Sequence, residues 1–299
     1  MHIPKQVTVK EVGPRDGLQN EKELIATEDK VEWINQLSDT GLSYIEISSF
    51  VHPKWIPQLG DALDVAKQIK RQKDITYAAL VPNAKGLERA LEADVDEISI
   101  FMSASETHNK KNINKTIEET FPVLEEVVKG GRQEGKSVRA YISTVFGCPY
   151  EGHIPIDNTL RICERLFEMG IYELSIGDTI GVANPLQVER VLTRMKDTFE
   201  HDSLALHFHD TRGTALANVL TALQLGFTTF DSALGGLGGC PYAQGATGNL
   251  ATDDLLYMLD GMEIETGIHK DKLYHAASFI QSKMDKSLPS HQMQIGDSI

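Results

Sequence analysis

The chain has 299 residues, 41% of them hydrophobic and 24% charged, an ordinary soluble globular composition with room for a sizeable core. Its 29 Lys and Arg against 43 Asp and Glu leave a net charge of −14, which argues against nucleic acid or an anionic membrane surface as a bulk partner. An anionic small substrate stays open, since it needs only a local basic group or a metal ion. No apolar run approaches the ~20 residues of a membrane span, and the N-terminus enters a strand-like run without a signal-peptide core. Cys148, Cys163 and Cys240 are odd in number and lack metal-type spacing, which points to a reducing cytosol rather than a disulfide framework.

Strand and helix patterns alternate along the chain. Residues 7–12 alternate like a strand and stop at Gly13-Pro14, and 28–40 read as a helix with Val31, Ile34 and Leu37 at helical spacing and Gly41 as its stop. The pattern then repeats: strand 44–49, helix 60–72, strand 76–81, helix 83–93 and strand 97–102. A polar loop over 103–114 leads to a helix at 116–134, followed by strand 138–145, helix 157–169, strand 172–176 and helix 185–199. Strand 204–209, helix 214–225, strand 228–233 and helix 251–260 complete the series. Eight β-then-α units without a composition break predict a (βα)8 TIM barrel, one domain over 1–299. The glycine-rich fingerprint of a doubly wound sheet is missing after the first strand. About 263–299 reads as a C-terminal extension, helical over 270–286 and then a polar tail.

In such a barrel the active site lies at the C-terminal ends of the strands. Arg15, Asp16 and Gln19 follow the first strand, Glu46 ends the second, Asp178 follows the sixth, His207 and His209 end the seventh, and Cys240 and Asn249 follow the eighth. His207 and His209 are two apart on a strand and so face the same way. Two readings fit them: half of a metal site, or core histidines bonded to neighbouring backbone. Asp16 and Asn249 would complete a set of mixed oxygen and nitrogen ligands suited to Mg²⁺ or Mn²⁺, with open positions for a substrate. Taken singly, Asp16 is also a turn residue and Asn249 a loop or cap residue. Arg15 can stabilise a developing oxyanion or form a surface salt bridge. Glu46 and Asp178 orient Arg15 or a histidine, or make structural ion pairs. Cys240, flanked by Gly239 and Pro241, is either a proton donor or acceptor over the mouth or a small packing residue.

Val-Gly-Pro-Arg-Asp-Gly-Leu-Gln-Asn-Glu (12–21), Gly-Asp-Thr-Ile-Gly-Val (177–182), His-Phe-His-Asp-Thr-Arg-Gly (207–213) and the loop 235–242 together resemble the 3-hydroxy-3-methylglutaryl-CoA lyases, from near residue 7 to about 285. The Arg-Asp pair and His-x-His are shared with relatives that make isopropylmalate or homocitrate; the Gly-Leu-Gly-Gly-Cys-Pro-Tyr-Ala loop is what sets the lyases apart. The resemblance implies cleavage of 3-hydroxy-3-methylglutaryl-CoA to acetyl-CoA and acetoacetate, late in leucine degradation. It implies Mg²⁺ or Mn²⁺ on Asp16, His207, His209 and Asn249, enolate stabilisation by Arg15, and proton transfer involving Cys240. It also implies acidic residues needed for full activity at Glu46 and Asp178, and a homodimer or larger homo-oligomer. The chain shows no leader peptide, no peroxisomal tripeptide and no C-terminal cysteine for thiol regulation, so a cytoplasmic enzyme is expected.

The chemistry is consistent with these residues. The tertiary hydroxyl is a very weak acid that a divalent ion makes easier to deprotonate, and either Asp16 or a histidine can take the proton. Arg15 and Gln19 are read as substrate-binding, with Lys22 adding to the charge that holds the anionic substrate and Lys110 and Lys111 as basic groups for the CoA phosphates. The rival readings are a related acyl-CoA lyase or synthase acting on another 3-hydroxyacyl-CoA, and a non-catalytic binding barrel.

Overall fold

The computed structural model describes residues 3–238 and 248–296. Among them, β1 (Thr8–Glu11), β2 (Tyr44–Ser49), β3 (Thr76–Leu80), β4 (Glu97–Ser103), β5 (Ser137–Ser143), β6 (Glu173–Gly177), β7 (Leu204–His207) and β8 (Thr229–Ser232) form a closed barrel in sequence order. Every pairing is parallel, and β8 returns to β1 from Thr8↔Thr229 through Glu11↔Ser232. The outer layer is α1 (Thr27–Ser38), α2 (Ala62–Gln68), α3 (Ala84–Glu92), α4 (Glu106–Ile113), α5 (Ile117–Gln133), α6 (Ile156–Glu168), α7 (Pro185–Lys196), α8 (Ala215–Gln224) and α9 (Thr252–Gly261). Two further helices follow, α10 (Lys270–Gln281), which packs on α1, and α11 (His291–Ile295). The (βα)8 barrel expected from the alternating pattern is therefore the observed fold.

Alternation along each strand separates two interiors. Ile45, Ile47, Ile98, Ile100, Val138, Ile142, Leu174, Ile176 and Leu206 are buried in the apolar layer beneath the helices. The other parity fills the barrel with polar groups that reach across it. Lys10 pairs with Glu173 at 2.6 Å, Tyr44 donates to Glu97 at 3.0 Å, and Arg139 pairs with Asp231 at 2.9 Å and with Glu173 at 2.7 Å. Lys10, Arg139, Glu173 and Asp231 are met by opposite charges and Glu97 by two hydroxyl donors, as burial demands.

Two segments depart from the expectation. The polar stretch 103–114 contains α4, which has no apolar face to announce it. Its ends supply the signal instead. The Ser105 side chain accepts from the His108 N–H, Asn114 closes the helix at φ +55°, and Glu106 pairs with Lys110 at 3.1 Å. The polar tail likewise contains α11, whose first N–H groups, from His291 and Gln292, donate to Asp254 at 3.0 and 2.9 Å.

Glu11 joins the barrel to its mouth. Its Oε1 accepts from the Gly13 and Leu234 N–H groups at 2.8 and 2.9 Å, and its Oε2 accepts from the Thr252 hydroxyl at 2.7 Å. Burial pushes its carboxyl up to about 7, against the pull of those three donors. A folded-state value above the ordinary one means that stability falls as pH rises between the two, here from about 4.5 to about 7. Glu11→Gln keeps the Oε1 acceptor and faces its amide toward Thr252, whose hydroxyl can turn to Ser232 at 2.7 Å. The expected outcome in urea unfolding is a downward stability slope over this window in the parent, worth up to about 3 kcal/mol, and loss of that component in the variant. An unchanged slope would remove Glu11 from the titration.

Candidate active site and metal centre

The turn after β1 brings Arg15 and Asp16 to the mouth. The Val12 carbonyl accepts from the N–H groups of Asp16 and Gly17 at 2.7 and 3.3 Å, a wide turn that directs two successive side chains inward. Arg15 donates from Nε to Glu46 Oε2 at 2.5 Å and from Nη1 to Asp16. Its guanidinium lies 5.0 Å from the Tyr141 ring centroid. Burial works against its charge, but the carboxylates of Asp16 and Glu46 outweigh that and raise its pKa. Glu46 also accepts from the Tyr141 hydroxyl at 3.0 Å, while its buried Oε1 has no hydrogen-bond partner among the described residues.

His207 ends β7, and His209 lies beyond it in a bridge with Asn249. Segment 248–250 is laid against 208–210 by Leu250 N–H to Phe208 carbonyl at 3.0 Å and Asp210 N–H to Gly248 carbonyl at 2.8 Å. Asp16, His207 and His209 thus converge, with one ligand atom of each within 4.8 Å of the others. The two Nε2 atoms are 3.3 Å apart, and Asp16 Oδ2 lies 3.7 Å from His207 Nε2. Asn249 Nδ2 donates to Asp16 Oδ2 at 2.9 Å and to the Leu237 carbonyl at 3.1 Å, and its buried Oδ1 has no partner among the described residues. Burial would push the Asp16 carboxyl up, but Arg15, the two imidazoles and the Asn249 amide hold it down at about 2. Burial and the neighbouring His207 lower His209 to about 4, so it is neutral near pH 7. An ionised carboxylate beside a neutral imidazole is the protonation state in which such groups ligate a cation.

Of the residues singled out from sequence, Arg15, Asp16, Glu46, His207, His209 and Asn249 come together. Gln19 lies half-buried beyond the first-strand turn. Asp178, buried directly after the C-terminal end of β6, accepts from Val182 and Ala183 N–H groups at 2.9 and 3.1 Å, so its carboxylate shapes the loop after β6. Burial pushes it up to about 6, partly offset by those two donors. Cys240 lies outside the described residues. Lys22 is exposed, Lys110 pairs with Glu106, and Lys111 lies 5.0 Å from the Tyr150 ring centroid.

Sequence reasoning missed the residues beneath the site. Asp231, Cα partner of His207 in the β7–β8 register, has its Oδ2 3.3 Å from His207 Nδ1 and accepts from Ser175 at 2.6 Å. That bond orients the ring and turns Nε2 toward the cluster. Arg139 pairs with Asp231 and donates to the Tyr141 hydroxyl at 2.9 Å. Arg139, Tyr141 and Asp231 share the inward parity of otherwise apolar strands, and that parity was the available signal.

A family model described as HMGL-like matches residues 6–280. The hydroxymethylglutaryl-CoA lyase YngG of Bacillus subtilis is 61% identical over 99% of both chains, and a B. subtilis HMG-CoA lyase crystal structure superposes with a TM-score of 0.98 over 99% of both. Human mitochondrial hydroxymethylglutaryl-CoA lyase is 48% identical over 98% of this chain and 90% of its own. An HMG-CoA lyase from Acinetobacter baumannii, solved with coenzyme A and 3-methylmalate, is 41% identical with a TM-score of 0.93 over 98% of this chain and 95% of its own.

The pair beneath the site makes a direct prediction. Asp231→Asn keeps the shape but leaves the fully buried Arg139 with one carboxylate, Glu173, which it already shares with Lys10. The expected loss of stability is about 3–5 kcal/mol by urea unfolding. A loss under about 1 kcal/mol, the scale of one neutral hydrogen bond, would show that the charge is not needed there.

Proposed function

The chain belongs to the HMGL-like family and to its hydroxymethylglutaryl-CoA lyases, and from that membership we propose how its own residues cleave 3-hydroxy-3-methylglutaryl-CoA to acetyl-CoA and acetoacetate. The observation that carries the reading is the convergence of Asp16, His207 and His209 beside an Arg15 fixed by Glu46. The donor set fits a divalent cation. It has one ionised carboxylate, two imidazoles and the unpartnered amide oxygen of Asn249, with no thiolate among the described ligands. Those four residues would hold Mg²⁺ or Mn²⁺, whose oxygen preference and open positions suit a chelating hydroxy acid. When bound, the cation supplies Lewis acidity that makes the tertiary hydroxyl easier to deprotonate and fixes its orientation.

The protein groups do the rest. The hydroxyl proton passes to one of the bases gathered at that point, Asp16 or an imidazole. The C2–C3 bond breaks, acetoacetate is released as the ketone product, and the electron pair moves onto the thioester carbonyl as an enolate. Arg15, kept charged by two carboxylates and held in plane by both, faces that developing charge. Cys240 delivers the proton that converts the enolate to acetyl-CoA, and Gln19 contacts the substrate. Asp178 acts by shaping its loop. Arg15 and a bound cation together would let a chain of net charge −14 hold an anionic acyl-CoA. The reading places this activity in leucine degradation in the cytoplasm, in a homodimer or larger homo-oligomer. No helix of the described residues is long and apolar enough to cross a membrane.

Acetoacetate formation from 3-hydroxy-3-methylglutaryl-CoA should disappear with excess chelator and return with Mn²⁺ or Mg²⁺. Turnover that survives chelation would exclude the metal role. Arg15→Lys retains charge but loses the planar fork, so kcat should fall by at least ~100-fold with KM little changed. A near-normal kcat would take Arg15 out of the chemistry. Cys240→Ser should slow turnover while leaving Mn²⁺ affinity intact, and undiminished turnover would return Cys240 to packing.

A further inference from the structure

Beyond α10 the chain runs along the segments that follow β1 and β8. Lys283 pairs with Asp29 at 2.8 Å, the Asp285 N–H donates to Glu23 at 3.1 Å, and Lys286 pairs with Glu21 at 2.7 Å, all in α1 or the loop before it. Leu288, 1% exposed, packs against Gly235 so closely that a Cβ there would lie 2.5 Å from Leu288 Cδ1. Ser290 then bonds Gly235 twice over. Its N–H donates to the Gly235 carbonyl at 3.1 Å, and its hydroxyl donates to Asp253, which accepts from the Gly235 N–H at 2.9 Å. Gly235 itself has φ +71°, a conformation that favours glycine, so its backbone is held on both sides in a state few residues adopt.

The turn that starts at Gly235 reaches the ligand cluster. The Leu237 carbonyl accepts from Asn249 Nδ2 at 3.1 Å. A Cβ on Gly238, at φ +104°, would lie 2.4 Å from the same Nδ2 and 3.1 Å from the Asp16 carbonyl oxygen, and a Cβ on Gly17 would meet Leu237 Cβ at 2.9 Å. Tail, turn and cluster are therefore packed in series with no slack.

We propose that Ser290 is a positioning residue for the metal site: through Gly235–Gly238, the tail sets where Asn249 stands against Asp16, His207 and His209. This rests on the reading of that cluster as a divalent-cation site. A residue far from the substrate thereby controls affinity for the cation, as outer partners of ligands do elsewhere. The remaining tail contacts, Leu288 on Gly235 and His291 and Gln292 on Asp254, keep Ser290 in register.

The test is Mn²⁺ binding to the purified full-length protein, followed by the electron paramagnetic resonance of free Mn²⁺, together with its thermal midpoint. Ser290→Ala should raise the Mn²⁺ Kd by about 10-fold with the midpoint lowered by only a few degrees, and Ser290→Thr, which restores the hydroxyl, should recover most of the affinity. Leu288→Val, a milder way to loosen the same contact, should weaken binding by a smaller factor. A parent that binds Mn²⁺ and a folded Ser290→Ala that binds it equally well overturn the role of the tail alone. A folded parent that binds no Mn²⁺ overturns the cation site itself and the proposal with it.

Discussion

The buried pair of Arg139 and Asp231 ties the centre of the barrel to both sides of its mouth. From Arg139 the contacts run through the Tyr141 hydroxyl to Glu46, from Glu46 to Arg15, and from Arg15 to Asp16. From Asp231 they run to His207, and the two branches meet where Asp16 lies 3.7 Å from His207. The result is a closed ring of polar contacts around the axis. Desolvating its charges costs several kcal/mol per ion, so the ring is a weak source of net stability. What it supplies is orientation. Each member is held from two sides, and removing one exposes an uncompensated charge or donor at the next.

This explains what could be read from the chain and what could not. The His-x-His spacing is a strand-parity signal, and Arg15-Asp16 after the first strand is a position in the barrel topology; both survive translation into three dimensions because they depend only on local geometry. Asp231 and Arg139 are different. Their roles depend on partners 24 residues away for His207 and 92 for Asp231, brought together only when β5, β7 and β8 close into one cylinder. Strand parity marked them as inward-facing, but not whom they would meet. Helix α4 was hidden for the opposite reason. Its stability comes from caps and one ion pair, which leave no hydrophobic period. The tail read as polar because its contacts are hydrogen bonds and a single buried leucine.

The two interiors divide the work. Between strands and helices, aliphatic side chains close-pack and supply the burial that holds the fold together. Inside the barrel, the same strands present charged and hydroxyl groups that cannot contribute comparable burial energy and are instead paired one by one. A barrel filled with aliphatic layers would be simpler to stabilise, but it would offer the mouth only backbone ends. Here the polar column continues upward into the site, so the site residues rest on rigid strands and not on loops alone.

Three of the buried unpartnered atoms follow from that arrangement. Glu46 Oε1, His209 Nδ1 and Asn249 Oδ1 are buried side-chain atoms without a hydrogen-bond partner among the described residues, and all three belong to the mouth. Each such group costs about 1–3 kcal/mol when nothing meets it. Folding alone would favour an apolar replacement at any one of them. Their retention is accounted for if the missing partners arrive with a ligand: the ring fixes the groups beforehand, and binding satisfies groups already in place. Preorganisation at the mouth and marginal satisfaction at the mouth are thus the same property, and the aliphatic shell supplies the stability that makes it tolerable.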